Sequence, residues 1–129
     1  MDKKITELEK VTIEFNIPKV PGSVNHLYGQ ARNGRRYIRQ EGREYKRLVA
    51  NIIKKIEVPH QIYKGRLRTR FVISFKDHRK RDLDNCMKIL WDSLQGHLFE
   101  DDCQIDEYSV KRIYNPEKPG VDITVENIV

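Results

Sequence analysis

The sequence predicts an α+β fold, a single domain in which a mixed β-sheet carries two packed helices and is preceded by a basic hairpin. Three observations predict it. Residues 41–57 and the stretch from Leu83 to Leu94 repeat their apolar positions every three to four residues, as amphipathic helices do. Residues 11–17, 66–76, 107–114 and 121–126 read as strands bounded by turn signals. The 129 residues contain no internal repeat and no interior linker, and such a length forms one domain with a modest core.

Taken in order, residues 1–10 (MDKKITELEK) are charged and lack the apolar region of a secretion signal, so they read as a loose tail. The folded domain is expected over 11–129. VTIEFNI alternates as a strand, and Pro18, Pro21 and Gly22 end it. Asn33-Gly34, between Tyr28 and Tyr37, signals a hairpin turn with positive φ at both central residues. Its tip carries Arg32, Arg35 and Arg36. Tyr45, Leu48, Val49, Ile52, Ile53 and Ile56 form one helical stripe, with Pro59 as the stop. RLRTRFVISFK is a strand, and 77–81 a polar connection. Leu83, Met87, Leu90, Trp91 and Leu94 stripe a second helix of about 14 residues, ended by Gly96 in the left-handed position past its C-terminus. An acidic turn, FEDDCQID, leads into strand 107–114, and a turn from Asn115 to Gly120 leads into the last strand.

Composition narrows the function. Cys86 and Cys103 lie in apolar-patterned segments without zinc spacing, and read as buried thiols in a reducing compartment. No apolar run nears the roughly 18 residues of a membrane span, so a soluble cytoplasmic protein is expected. The net charge of +6 is unevenly spread. Residues 30–81 hold seventeen Lys/Arg and four Asp/Glu, whereas 82–129 hold four and eleven. A basic region of that density is what phosphate neutralisation requires.

The junction of the two halves is RKRDLDNCMK, residues 79–88. Asp82 and Asp84 suit the N-terminus of the second helix, where carboxylates cap exposed N–H groups. Lys88 is placed for an i,i+4 ion pair with Asp84, and Asp101 and Asp102 suit a turn. These ordinary roles leave seven acids against one cation between 82 and 106. Asp102 reaches the Asp82 end only if its strand neighbours the strand ending near Lys76. In that arrangement three carboxylates converge, and hard oxygen ligands hold Mg²⁺, with Mn²⁺ as a substitute. The segment lacks the glycine and terminal glutamate of a calcium loop. No glycine-rich phosphate loop is present, so no nucleotide cofactor is expected. His26, His60, His78 and His97 are scattered, and no Ser/His/Asp set stands out.

RDLDNCMKILWDSL…FEDDCQID resembles the RusA family of Holliday-junction resolvases, whose signature is R-D-x-D-N-x-x-K, a helix, then D-D-x-Q. PKVPGSVNHLYG and EGREYKRLVANIIK resemble that family's N-terminal half. Where the family usually shows Pro-Pro-Ser before its asparagine, this chain has Pro21-Gly22-Ser23-Val24-Asn25. The resemblance spans about residues 11–126. It implies that Asp82, Asp84 and Asp102 are metal-binding catalytic aspartates and Lys88 the active-site lysine. It also implies a homodimeric, Mg²⁺-dependent endonuclease that nicks four-way DNA junctions in symmetrical pairs. Arg32, Arg35, Arg36, Arg79, Lys80 and Arg81 are the candidate phosphate contacts. Two other classes remain open at this point: a structure-selective or flap endonuclease of the same fold, and a non-catalytic DNA-binding module.

Overall fold

The computed structural model describes residues 9–22 and 28–129. The expected tail falls almost wholly outside them, as do Ser23, Val24, Asn25 and His26. Strand β1 is Thr12–Ile17; β2, Tyr28–Gln30, and β3, Arg36–Ile38, form a separate hairpin. Helix α1 is Gln40–Lys54 and a one-turn helix α2 is His60–Tyr63. Then come β4, Leu67–Phe75; α3, Leu83–Leu94; a 3₁₀ turn, Asp102–Gln104; β5, Ile105–Tyr114; and β6, Gly120–Asn127. The α+β class and the mixed sheet are as the sequence predicts. The short α2 was not expected: four residues show no period, although Ile62 in it is fully buried.

The main sheet has the order β1-β6-β4-β5. β6 is antiparallel to both β1 and β4, whereas β4 and β5 are parallel. That direction follows from the chain between them. A helix of 12 residues, about 18 Å long, carries the chain from the end of β4 back to its beginning, so the next strand runs the same way. The register runs from Leu67 opposite Ile105 to Phe75 opposite Tyr114, with a shift between Leu67 and Arg68 that leaves Asp106 as the extra residue.

One face of β4 (Leu67, Thr69, Phe71, Ile73 and Phe75) is buried under the helices. α1 presents Tyr45, Val49 and Ile53 to this core, and α3 presents Met87, Leu90 and Leu94. Each such side chain contributes roughly 1.5–3 kcal/mol by leaving water. Tyr45 also donates to the Lys19 carbonyl (2.9 Å), fixing the segment after β1 against α1.

Two local expectations change. The hairpin exists, but only Gly34 has positive φ (+83°), and no non-glycine residue among those described does. Gly34 N–H donates to Ala31 O, and Ala31 N–H to Arg35 O, which makes a three-residue loop closed by a left-handed glycine. Cys86 is buried as expected, whereas Cys103 is exposed, because it lies in the 3₁₀ turn rather than in the strand that follows. Among the described residues, no helix is long and apolar enough to cross a membrane.

Candidate active site

The polar connection after β4 is organised by Asp77. Its carboxylate pairs with Arg81 at 2.7 Å and with Arg79 at 3.7 Å, and both cations hold its proton affinity below the ordinary carboxylate range. The Arg81 guanidinium also lies over the Phe75 ring (4.9 Å), as does that of Arg112 (5.4 Å), which donates to the Arg81 carbonyl. This brace leads straight into Asp82, the N-cap of α3, whose Oδ1 accepts from Asp84 N–H at 3.0 Å. The capping role expected of Asp82 is therefore real, and it uses one carboxylate oxygen. Pro21, Gly22, Lys80, Arg81, Asp82, Asn85 and Cys86 line a cleft of about 190 Å³ there. Asp84, Lys88 and Asp92 follow at four-residue steps on the exposed side of α3. Among the described residues, no ion pair joins Lys88 to Asp84.

Asp102 sits in the turn before β5. Asp101 caps this turn by accepting from Cys103 N–H (3.0 Å), and Gln104 Oε1 accepts from Asp101 N–H (2.8 Å). The buried Gln104 amide donates to the carbonyls of Tyr63 and Gly65, both at 2.9 Å. The glutamine of D-D-x-Q thus ties the aspartate turn to the loop between α2 and β4. A hydrogen bond with Asp101 raises the proton affinity of the Asp102 carboxyl above the ordinary range, and the nearby charge of Asp92 adds to it.

Asp102 opens the turn that leads into β5, whose start lies beside the start of β4. It lies by the C-terminal part of α3, while Asp82 caps the N-terminus. Ten residues of helix, about 15 Å, separate the two ends. The expected neighbouring of the strands holds, but they are parallel, so β5 begins where β4 begins and not where it ends. Within one chain the three aspartates do not converge. Among the described residues, no group of three or more His, Cys, Asp or Glu side chains is placed to hold a metal ion.

The cations divide similarly. At the start of β4, two arginines are neutralised by acids that are remote in sequence. Arg66 pairs with Asp106, and Arg68 with Glu107 (2.7 Å) and Glu126 (2.8 Å). Arg81 is half-buried on Asp77, whereas Lys80 is exposed without an ion pair among the described residues. Arg32, Arg35 and Arg36 are exposed on the hairpin, with Arg36 over the Tyr28 ring (5.5 Å). Tyr28 donates to Asp92, which seats the hairpin against the exposed side of α3. Arg39, Arg43, Lys46 and Arg47 extend this unneutralised surface onto the start of α1.

A family model described as endodeoxyribonuclease RusA matches residues 18–126. The chain belongs to the RusA family. A crossover junction endodeoxyribonuclease of Enterobacteria phage HK97 is 38% identical over 101 residues, 77% of this chain and 81% of the relative. Proteins of the same name are 28% identical in Escherichia coli K12 and 29% in Enterobacteria phage 82, each over 115 residues, 88% of this chain. In this RusA chain, the sequence reading missed Arg112 and Tyr28, because each acts through a partner distant in sequence. It also missed the structural part of Gln104, whose signal was a polar residue about to be buried. Replacing Gln104 with Leu strands two carbonyls and an amide. Thermal unfolding should show a loss of about 2–3 kcal/mol, roughly 10 °C in Tm.

Proposed function

We propose that the protein resolves four-way DNA junctions as a homodimer, by Mg²⁺-dependent paired nicks, with Mn²⁺ able to replace Mg²⁺. The observation that carries this reading is the split of the matched carboxylates between the two ends of α3. Asp82 and Asp84 of one chain, joined by the partner's Asp102, would form the three-carboxylate set that a hard divalent cation fits. A two-fold assembly makes two such sets, as symmetrical nicks in a symmetrical substrate require. The names of the matched relatives support the same substrate.

The bound metal would lower the pKa of a coordinated water and offset charge on the scissile phosphate. The protein's own groups do the rest. Asp82 keeps one oxygen on the helix N-terminus and offers the other, so its position is set before any ligand arrives. Lys88, one turn beyond Asp84, orients the attacking water or stabilises the charge developing on the phosphate. Arg32, Arg35 and Arg36, with Lys80 and Arg79, hold flanking phosphates.

The test is cleavage of a synthetic four-way junction with labelled arms, beside a flap and a linear duplex. Symmetrical nicks are expected with Mg²⁺ or Mn²⁺, and none in chelator. Cutting that persists in chelator would overturn the metal reading, and equal rates on flap and junction would overturn the junction preference.

A further inference from the structure

Two aromatic side chains are stacked on the surface where β4 and β5 end. His78, in the connection after β4, lies on the Tyr114 ring, with centroids 4.1 Å apart and planes 26° from parallel. Tyr114 is 51% exposed, and His78 is exposed as well. Tyr114 ends β5 opposite Phe75, so its ring is on the sheet face that carries the helices. A cleft of about 260 Å³ opens there, lined by the rings of Phe75, His78 and Tyr114 and by the cations Arg79 and Arg112. Among the described residues, the one carboxylate that lines it, Asp77, is held by Arg79 and Arg81. Arg112 forms no ion pair among the described residues and donates to the Arg81 carbonyl.

A surface stack has an ordinary use, since two rings shield each other from water. That use asks for no cations. Exposed rings interleaved with arginines, where the nearby carboxylate is already paired, have the composition on which single-stranded DNA stacks its bases. The cleft is small. Pockets for drug-sized molecules hold roughly 300–1,000 Å³, so this one suits a single flat base and not a longer strand.

We infer that the His78–Tyr114 stack receives one unpaired nucleobase of the branched DNA substrate, with Arg79 and Arg112 on the phosphates beside it. This rests on the junction reading proposed above and names the feature of the substrate that the surface selects. The base continues the stack on its open face, and every base has such a face, so the platform tolerates any sequence. His78 precedes Asp82 by four residues, which span at most about 14 Å when extended. The stack thus stands within about four base steps of that aspartate, at about 3.4 Å per step. Taking a base out of a duplex costs its pairing and stacking, and costs least where these are already disturbed. Stacking is interrupted at a branch point and unbroken in a continuous duplex. The platform therefore turns a general affinity for phosphate into a preference for branched DNA.

Base removal tests this. Four-way junctions are built with an abasic nucleotide at each of the four positions nearest the branch on the cleaved strand, and binding is titrated in chelator. For the parent, one position should weaken binding on the order of tenfold, the loss of one base–aromatic stack. His78→Ala and Tyr114→Ala should each weaken binding to the intact junction by a similar factor and leave a linear duplex bound as before. Neither should lose anything further at the abasic position. Such non-additivity marks a shared contact, and damage to the fold does not produce it. Tyr114→Phe, which keeps the ring, should behave like the parent, and a melting curve accompanies each variant. The stacking site is overturned, and the junction reading left standing, by a parent indifferent to every abasic position. Variants that melt like the parent yet weaken duplex and junction alike, or lose as much at the abasic position as the parent does, overturn it too. A parent that neither prefers nor nicks the junction overturns both.

Discussion

An equal mixture of Asp82→Asn and Asp102→Asn chains should nick a four-way junction that neither variant cuts alone. Each substitution removes one carboxylate from every metal set, and each pure variant should fall at least about a hundredfold below the parent. If the sets are shared between chains, a mixed dimer has one set that lacks both groups and one that is whole. Random exchange then restores about a quarter of the parental sites, half of the dimers having one intact site of two. The products carry their own signature: a mixed dimer nicks one strand, so nicked junctions accumulate in place of resolved duplexes. The two variants are mixed after brief unfolding, and heterodimers are counted by native mass spectrometry. Heterodimers without activity would show that each site draws its aspartates from a single chain. Asp101→Asn should be mild in the same assay, because its carboxylate caps the turn through Cys103 N–H and an Asn oxygen accepts that bond equally well.

Lys88→Ala should fold and bind junctions like the parent, yet cleave them at least about a hundredfold more slowly at saturating Mg²⁺. An exposed i,i+4 ion pair is worth only a few tenths of a kcal/mol. Here that pair is not formed, so Lys88 has no partner in Asp84 whose loss could mimic a catalytic effect. Truncation of an exposed side chain changes stability by no more than about 0.5 kcal/mol. The two readings therefore differ by orders of magnitude in rate and hardly at all in Tm. Single-turnover kinetics beside a melting curve decides between them. Parental cleavage by Lys88→Ala would return this lysine to the solvated surface of α3.

The elements were legible because their apolar residues are periodic: the Tyr45-Val49-Ile53 stripe and the Phe71-Ile73-Phe75 alternation each admit one structure. Their bounds moved by a few residues at most. Asp82 was also legible, since an aspartate before an apolar helical stripe is both a cap and a ligand candidate. What the sequence did not convey was direction. The helix between β4 and β5 demands a parallel pair, yet no residue in FEDDCQID marks which end of the sheet the turn occupies. The charge segregation misled for a related reason. Arg66 and Arg68 belong to the basic half by number, but the register sets them beside Asp106, Glu107 and Glu126. The hairpin and the start of α1 keep a run of positive charge without ion pairs among the described residues, as does Lys80 beside Asp82.

The parallel crossover has a consequence for control. If its metal site needs two chains, a chain that carries its carboxylates at opposite ends of one helix would be inactive when dilute. On the two-chain reading, cutting power rises with the square of protein concentration until the dimer saturates. Metal binding and association then reinforce each other, since a cation that binds only the pair stabilises the pair by mass action. A junction with two equivalent arms would add to this by concentrating two chains on one molecule of DNA. Cleavage would thus be gated by stoichiometry, with no inhibitor, lid or covalent modification required.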